Sequence, residues 1–461
     1  MEKRISKINL QGAKKVHFIG IGGISMSGLS EVLKRDGYVI SGSDDRSSEI
    51  TEHLTSLGIE VAIPNAAENI TDDIDLAVYT AAIKPENPEF SEAKKRKIPM
   101  MERAELLGEI LKGYQHSICV AGTHGKTTTT SLVVEVTLAA GLDPTISIGG
   151  HMGMDGSNYR VGNSSCFVLE ACEYSNSFHH WHPHVGIILN IDADHLDFFG
   201  DMNGIVKSFR KFAENIRKGG VLVIQSGCGD EFIDSLGCDV VTFGMTKDSD
   251  IWASNIEYDS LGRPSFDVMD NADKLLARVN LTLPGEYNML NALACFAAAK
   301  WMGVSPSVIA NALGNAKGVK RRFEHKGVYN GAEIIDDYAH HPTEIEACLT
   351  AAKKSGRRVI CLFQPHTYTR TKNHLHEFAL SFHAADLVML LPIFAAREPF
   401  DPSISSADIT KMLKAQGINA EDVNSFDDAV KHIRKIILPG DLLITMGAGD
   451  VYKVGESLLS T

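Results

Sequence analysis

No uninterrupted apolar run in this chain is long enough to cross a bilayer, and its opening residues, Met1-Glu2-Lys3-Arg4-Ile5-Ser6-Lys7-Ile8, lack the apolar core of a signal peptide. A cytoplasmic protein with no membrane insertion is expected. None of the eight cysteines (Cys119, Cys166, Cys172, Cys228, Cys238, Cys295, Cys348, Cys361) stands in a Cys-x-x-Cys pair, so reduced and mostly buried thiols are expected. Aromatics are only 7% of the chain and the net charge is −13, which argues against a nucleic-acid groove. No internal repeat or low-complexity tract stands out, which disfavours a solenoid or scaffold. What the chain does have is length and core: 461 residues, 44% apolar, suggest about three packed domains.

Ala121-Gly122-Thr123-His124-Gly125-Lys126-Thr127-Thr128-Thr129-Thr130 is the most informative stretch. The apolar run His116 to Val120 before it reads as a buried strand. Thr128 to Ala140 after it reads as a helix with Leu132, Val133 and Val136 on one face. The loop then sits at a helix N-terminus, where backbone N–H groups and the helix dipole attract phosphate. Lys126 is placed to neutralise β- and γ-phosphate oxygens, and the Thr127 hydroxyl to ligate magnesium, so a nucleoside triphosphate is implied. The loop is short: Gly122 precedes Gly125 by two residues, where the usual loop has four before its Gly-Lys pair.

Three α/β units follow one another, with expected boundaries 1–108, 109–318 and 319–461. In the first, strand Lys15 to Ile19 leads into Gly20-Ile21-Gly22-Gly23-Ile24-Ser25-Met26-Ser27-Gly28. A helix through Leu29, Val32 and Leu33 ends near Gly37, and a second strand, Tyr38 to Ser41, reaches Asp44. This is the pattern of a dinucleotide or nucleotide-sugar diphosphate site, weak on its glycines alone. The second unit carries the phosphate loop and an Ala-rich helix, Asn291 to Trp301. The third holds strand candidates Val359 to Phe363, Leu387 to Leu391 and Leu442 to Met446, alternating with helices, which predicts another mostly parallel sheet.

Glu170 and Glu173 end one apolar strand, and Asp192, Asp194, His195 and Asp197 another. Both ends are expected at one sheet edge, where such groups hold magnesium against a triphosphate. His179-His180-Trp181-His182-Pro183-His184 matches no zinc spacing and reads as surface histidines. Asp336-Asp337-Tyr338-Ala339-His340-His341-Pro342-Thr343-Glu344 follows a strand with Pro342 in the first turn of a helix. Arg370, after Gln364-Pro365-His366, suits a carboxylate clamp.

Together with Asn288, Asn291 and Arg321-Arg322-Phe323, these motifs resemble the Mur ligases over nearly the whole chain. The resemblance implies a Rossmann-like N-terminal domain for a UDP-sugar, a central P-loop ATPase-type α/β domain, and a Rossmann-like C-terminal domain that closes over the site. It implies ATP and Mg2+ as cofactors, with ligation of L-alanine to UDP-N-acetylmuramate through an acyl phosphate. Gly122, Thr123, His124, Gly125, Lys126, Thr127, Thr128, Asn288, Asn291, Arg322 and Asp337 would bind ATP. Thr127, Glu173 and His195 would serve the metal. Gly20, Gly22, Gly23, Ser25, Met26, Ser27 and Asp44 would meet the sugar nucleotide. Tyr338, His340 and Arg370 would meet the amino acid, with Lys126, Glu173, His195, His340 and Arg370 as the catalytic set. Two positions depart from the family pattern: Thr367 replaces an arginine and Tyr287 a histidine. A ligase adding a tripeptide to the same sugar nucleotide remains open, as do a nicotinamide-dependent oxidoreductase and a nonenzymatic ATP switch. A monomer or weak homodimer fits all of these.

Overall fold

The computed structural model describes residues 8–150, 158–259 and 261–460. Met1 to Lys7 and the Asp197 side chain, both read above, lie outside the described residues. The chain divides into two compact units: one chiefly the chain up to Trp252 together with Ala294–Ile309, the other Ala253–Leu293 and the chain from Ala310 onward.

In the first unit, strands β1 (Lys15–Ile19), β2 (Val39–Ser43), β3 (Glu60–Ala62), β4 (Leu76–Tyr79) and β5 (Met100–Glu102) form an all-parallel sheet in the order β3-β2-β1-β4-β5. The order reverses at β1, which puts a crevice at the carboxyl end of that strand. The helix Ile24–Arg35 starts there. It buries Met26, Leu29, Val32 and Leu33 at helical spacing and ends in Lys34 and Arg35, which complement the dipole.

A second sheet in the same unit comprises β6 (His116–Ala121), β7 (Thr145–Ser147), β8 (Tyr159–Arg160), β9 (Cys166–Glu170), β10 (Val185–Ile188), β11 (Val221–Gln225), β12 (Asp239–Gly244) and the start of β13 (Ile251–Tyr258). Strand β6 lies between β9 and β10, parallel to both, with Val120 opposite Glu170 on one side and Ile187 on the other. The loops after β6, β9 and β10 therefore leave from one edge, as expected. The first-unit boundary drawn at residue 108 falls inside a helix, Arg103–Lys112. That helix is tied to the second sheet's loops by Trp181 Nε1 donating to the Ala104 carbonyl at 3.0 Å and Arg217 donating to the carbonyls of Leu111 and Tyr114.

The second unit holds an antiparallel hairpin, β14 (Pro264–Asp270) with β15 (Leu275–Asn280). It also holds a sheet of β16 (Glu324–Tyr329), β17 (Ala332–Asp337), β18 (Val359–Phe363), β19 (Leu387–Leu390), β20 (Ala420–Asp422) and β21 (Leu442–Met446), ordered β16-β17-β21-β18-β19-β20. All its pairs are parallel except β16 with β17. Alternate residues feed two cores: Ile334, Leu362 and Leu443 pack into one, and Ile335, Phe363 and Ile444 into the other. Helices therefore cover both faces. The Ala-rich helix begins at Glu286 rather than Asn291 and runs to Trp301.

Candidate functional site

The phosphate loop follows β6, and the helix Lys126–Ala139 starts two residues before its expected first residue, Thr128. Gly125 caps it at φ +82°, a left-handed conformation that a side chain would strain. Thr123, Thr127 and Thr128 are buried around it. The Lys126 Nζ donates to the carbonyls of Gly122 (2.6 Å) and Thr123 (2.9 Å) and lies 3.0 Å from the Glu173 carboxylate. Burial opposes its charge, but Glu173 and Glu170 outweigh that and hold the ammonium above the usual lysine value. The other acid takes a different partner: Glu170 Oε1 accepts the Thr127 hydroxyl at 3.1 Å, and its Oε2 accepts the Gly149 N–H at 2.8 Å. Glu173, expected to serve the metal along with Thr127 and His195, faces Lys126, because β9 ends at Glu170 and the chain turns into the 3-10 segment Tyr174–His180. Both Glu173 oxygens lie within 3.1 Å of the Lys126 ammonium, and the carboxylate is buried. His195 sits at φ +53° at the start of Leu196–Phe199, its ring 4.9 Å from that of Tyr174.

His124 is committed inside the protein. Its N–H donates to Asn190 Oδ1 (2.8 Å), its carbonyl accepts Asn190 Nδ2 (3.1 Å), and its Nε2 lies 3.3 Å from Asp192. Thr123 also bonds the Asn190 and Asp192 backbone. The loop after β10 therefore fixes the Gly122–Thr127 loop, and the amides from Gly125 through Thr128 stand at the helix start, the position from which backbone N–H groups bind anions in general. Asn190 escapes sequence reasoning, which has no signal for a neutral side chain clamping a distant peptide.

The loop after β1 follows the same plan. Gly20 and Ile21 donate to the Ser43 carbonyl, Gly23 to Gly20, and Gly22 to Asp44 Oδ2 at 2.9 Å. Asp44 therefore binds the loop itself. The Met26 side chain is core, and the Ser27 hydroxyl donates to the Ile24 carbonyl, so neither side chain faces outward as a ligand group would. Ser25 keeps an accessible role: its hydroxyl accepts Arg103 Nη1 at 3.1 Å, a cation the sequence reading does not include. Gly28 is required by packing, since a Cβ there would lie 2.2 Å from the Tyr159 ring.

In the second unit, the carboxyl ends of β17, β21 and β18 meet. Asp337 accepts the N–H groups of Phe323 (2.7 Å) and Ala339 (2.8 Å), and burial pushes its pKa up to about 6 against the pull of Arg322. Arg322 lies 5.3 Å over the Tyr338 ring. His340 Nδ1 donates to the Tyr338 carbonyl at 3.0 Å. Burial pushes its pKa down to about 4, with Glu344 opposing and Arg370 reinforcing, so the ring is neutral at pH 7 with Nε2 left as acceptor. Arg370 Nη1 is 3.1 Å from His366 Nδ1, and the His340 and His366 rings are 5.7 Å apart. Pro342 opens the helix Pro342–Lys353, capped by His341 and Glu344. Asn288 and Asn291 are buried and bonded to each other, with Asn288 Nδ2 also donating to the Pro284 carbonyl. Tyr287, also in this unit, is so buried that its pKa stands well above the phenol value, with Asp337 and Arg322 near enough to influence it.

The histidine run is less superficial than expected. His180 and His182 are exposed, but His179 stacks on Phe178 and reaches Ser208, and His184 packs against His116 and Trp301. Among the described residues no three of His, Cys, Asp and Glu gather as a metal cluster, and no helix is long and apolar enough to cross a membrane. The eight cysteines are unpaired and Cys119, Cys166, Cys295, Cys348 and Cys361 are buried, in line with the expected reduced thiols.

Three family descriptions match in chain order: "Mur ligase family, catalytic domain" at residues 15–115, "Mur ligase middle domain" at 120–299 and "Mur ligase, glutamate ligase domain" at 321–449. The chain is 49% identical to the UDP-N-acetylmuramate–L-alanine ligase of Lachnospira eligens over 98% of its length and 99% of that protein. It is 48% identical to the enzyme of that name from Clostridium kluyveri, over 97% and 98%. Among solved structures it is similar to UDP-N-acetylmuramate-alanine ligase MurC from Thermotoga maritima, with 30% identity, TM-score 0.77 and 97% and 98% coverage. It is also similar to a murein peptide ligase from Psychrobacter arcticus, with 25% identity, TM-score 0.65 and the same coverage. The chain is a three-domain α/β protein and belongs to the Mur ligase family.

Proposed function

We propose that this chain is an ADP-forming ligase that joins L-alanine to the lactyl carboxylate of UDP-N-acetylmuramate, a cytoplasmic step in peptidoglycan precursor synthesis. Identity near half over the full length to relatives named for that reaction carries the proposal. ATP is the phosphoryl donor. Its phosphates take the amides of the Gly125–Thr128 turn, and Lys126 leaves Glu173 to neutralise their oxygens. A carboxylate is a poor electrophile. Its oxygen attacks the γ-phosphorus, ADP departs, and the acyl phosphate offers a carbonyl with a good leaving group. The amine of alanine then attacks that carbon and expels phosphate, while His340 Nε2 takes the proton from the attacking nitrogen. Arg370 holds the amino-acid carboxylate. Arg322, Asp337, Asn288 and Asn291 belong to the nucleotide side, and Ser25, Arg103 and the turn from Ile24 to the sugar-nucleotide diphosphate.

The donors near Lys126 fit magnesium, which takes one or two carboxylates, a hydroxyl and substrate oxygens. The Thr127 hydroxyl and Glu170 carboxylate already meet, and the buried Glu173 carboxylate, paired with Lys126, lies three residues further on. Thr127 and Glu170 would hold the ion, with Glu173 and His195 bordering it. A bound magnesium ion would supply charge neutralisation of the phosphoryl oxygens.

Mass analysis of products from ATP, magnesium and UDP-N-acetylmuramate, with L-alanine or an L-Ala-D-Glu-diamino-acid tripeptide in separate reactions, tests the proposal. An alanine adduct with matching phosphate release supports it. A tripeptide adduct alone assigns the chain to peptide recycling, and no adduct with either refutes the ligase reading.

A further inference from the structure

We propose that Arg321 is a positioning residue that sets the nucleotide-side pair Arg322 and Asp337 and the amino-acid-side pair Tyr338 and His340 as one unit. The inference rests on the site reading above.

Its guanidinium is held by two rings and two acceptors. The carbon lies 4.9 Å over the Tyr338 ring and 4.7 Å over the Tyr452 ring. Its Nε donates to Asp336 Oδ2 at 2.9 Å and its Nη2 to the Gly447 carbonyl at 2.6 Å. Asp336 has no solvent exposure, and its other oxygen accepts the Thr445 hydroxyl at 2.7 Å. The backbone of Arg321 is tied too: its N–H donates to Glu324 Oε2 and its carbonyl accepts the Tyr338 N–H at 2.7 Å. The Gly447 N–H closes the ring by donating to the Asp337 carbonyl at 3.0 Å.

Three segments are therefore joined at one side chain: the loop carrying Arg322, the end of β17, and the Gly447 turn after β21. The loop itself needs holding, since Arg321 at φ +61° and Phe323 at φ +49° occupy a left-handed region that bulky residues enter only under constraint. Arg322 and Asp337 lie one residue from this knot on one side, and Tyr338 is part of it, with His340 bonded to the Tyr338 carbonyl. A lysine cannot substitute. Only a planar fork reaches two acceptors in its plane while two rings cover its faces.

The test is steady-state kinetics of the full chain bearing Arg321→Lys, with ATP, L-alanine and UDP-N-acetylmuramate varied in turn. Loss of charge-assisted hydrogen bonds predicts that KM for ATP and for alanine both rise by roughly tenfold while KM for the sugar nucleotide stays put. A merely structural role lowers apparent kcat with the folded fraction and leaves every KM unmoved, which overturns the proposal, as does a rise confined to one of the two substrates. Tyr452→Leu leaves the buried ion pair intact and guards against misfolding. It raises both values together by roughly threefold, and no movement there also counts against coupling. Arg322→Ala and Tyr338→Ala separate the failures. If they leave KM for ATP and alanine respectively unchanged, the site reading itself fails and the coupling with it. If they raise them and Arg321→Lys does not, the coupling alone fails.

Discussion

Two glycine loops in the first unit are built alike and differ in what they offer. Each follows a strand at which a parallel sheet reverses, turns backbone amides inward, and presents the first turn of a helix. After β1 the inward acceptor is a carboxylate, Asp44, and the loop itself holds no cation; Arg103 reaches in from another helix. After β6 the acceptor is the neutral amide of Asn190, and the loop supplies Lys126 and Thr127, which meet Glu173 and Glu170 from the end of β9. The backbone device is generic to anions. Its chemistry is decided by side chains: a diphosphate to be anchored needs donors, whereas a phosphoryl group to be transferred needs a mobile cation and hard oxygen ligands as well.

The sharpest way to break this comparison is Lys126→Ala. Turnover should fall by about a thousandfold while calorimetric binding of UDP-N-acetylmuramate is retained; loss of sugar binding would merge the two loops into one function. Next comes the division between the acids. Glu170→Gln should raise the magnesium needed for half-maximal rate by roughly 10–100-fold, and Glu173→Gln far less, with equal effects erasing the distinction. A mirror pair follows. Asp44→Ala should raise KM for the sugar nucleotide about tenfold and spare ATP, and Asn190→Ala should do the reverse.

How far these assignments were legible depends on how local their cause is. Lys126 and Thr127 stand in a motif whose lysine has no other use, and apolar runs locate β6, β18 and β21. Asn190 was invisible because its partner lies far off in sequence, across two adjacent strands. Glu170 and Glu173 share an apolar strand end, and only the point where β9 stops decides which one meets the Thr127 hydroxyl. The start of the helix at Glu286 is hidden by Pro284-Gly285 and by polar Asn288, whose burial depends on tertiary contact. The β14–β15 hairpin carries Asp267, Asp270, Asp273, Lys274 and Arg278, which break up any apolar run. The wide structure was thus readable and the polar clamps were not, since clamps depend on which loops become neighbours.

A further expected effect, on stability rather than kinetics, extends the comparison to the second unit, which has histidine where the first has lysine. His340, held at about 4 against an ordinary 6.5, stabilises the fold above pH 6.5 and loses that contribution as pH falls toward 4. Asp337 runs the other way: raised from 3.8 to about 6, its contribution is present below pH 4 and is lost as pH rises through 6. In His340→Gln the His340 dependence is removed and that of Asp337 remains. Urea denaturation should then show stability rising from pH 6.5 to 4 relative to the parent, by roughly 2 kcal/mol; parallel profiles would contradict a buried neutral His340.

The central claim is that the triphosphate loop serves to activate a carboxylate. It is tested most directly by making UDP-N-acetylmuramate with 18O in its lactyl carboxylate, running the reaction with ATP and L-alanine, and weighing the released phosphate. One labelled oxygen in the phosphate for each amide formed is the predicted result, because the attacking carboxylate oxygen leaves with the phosphoryl group. Amide formation with unlabelled phosphate would contradict the account.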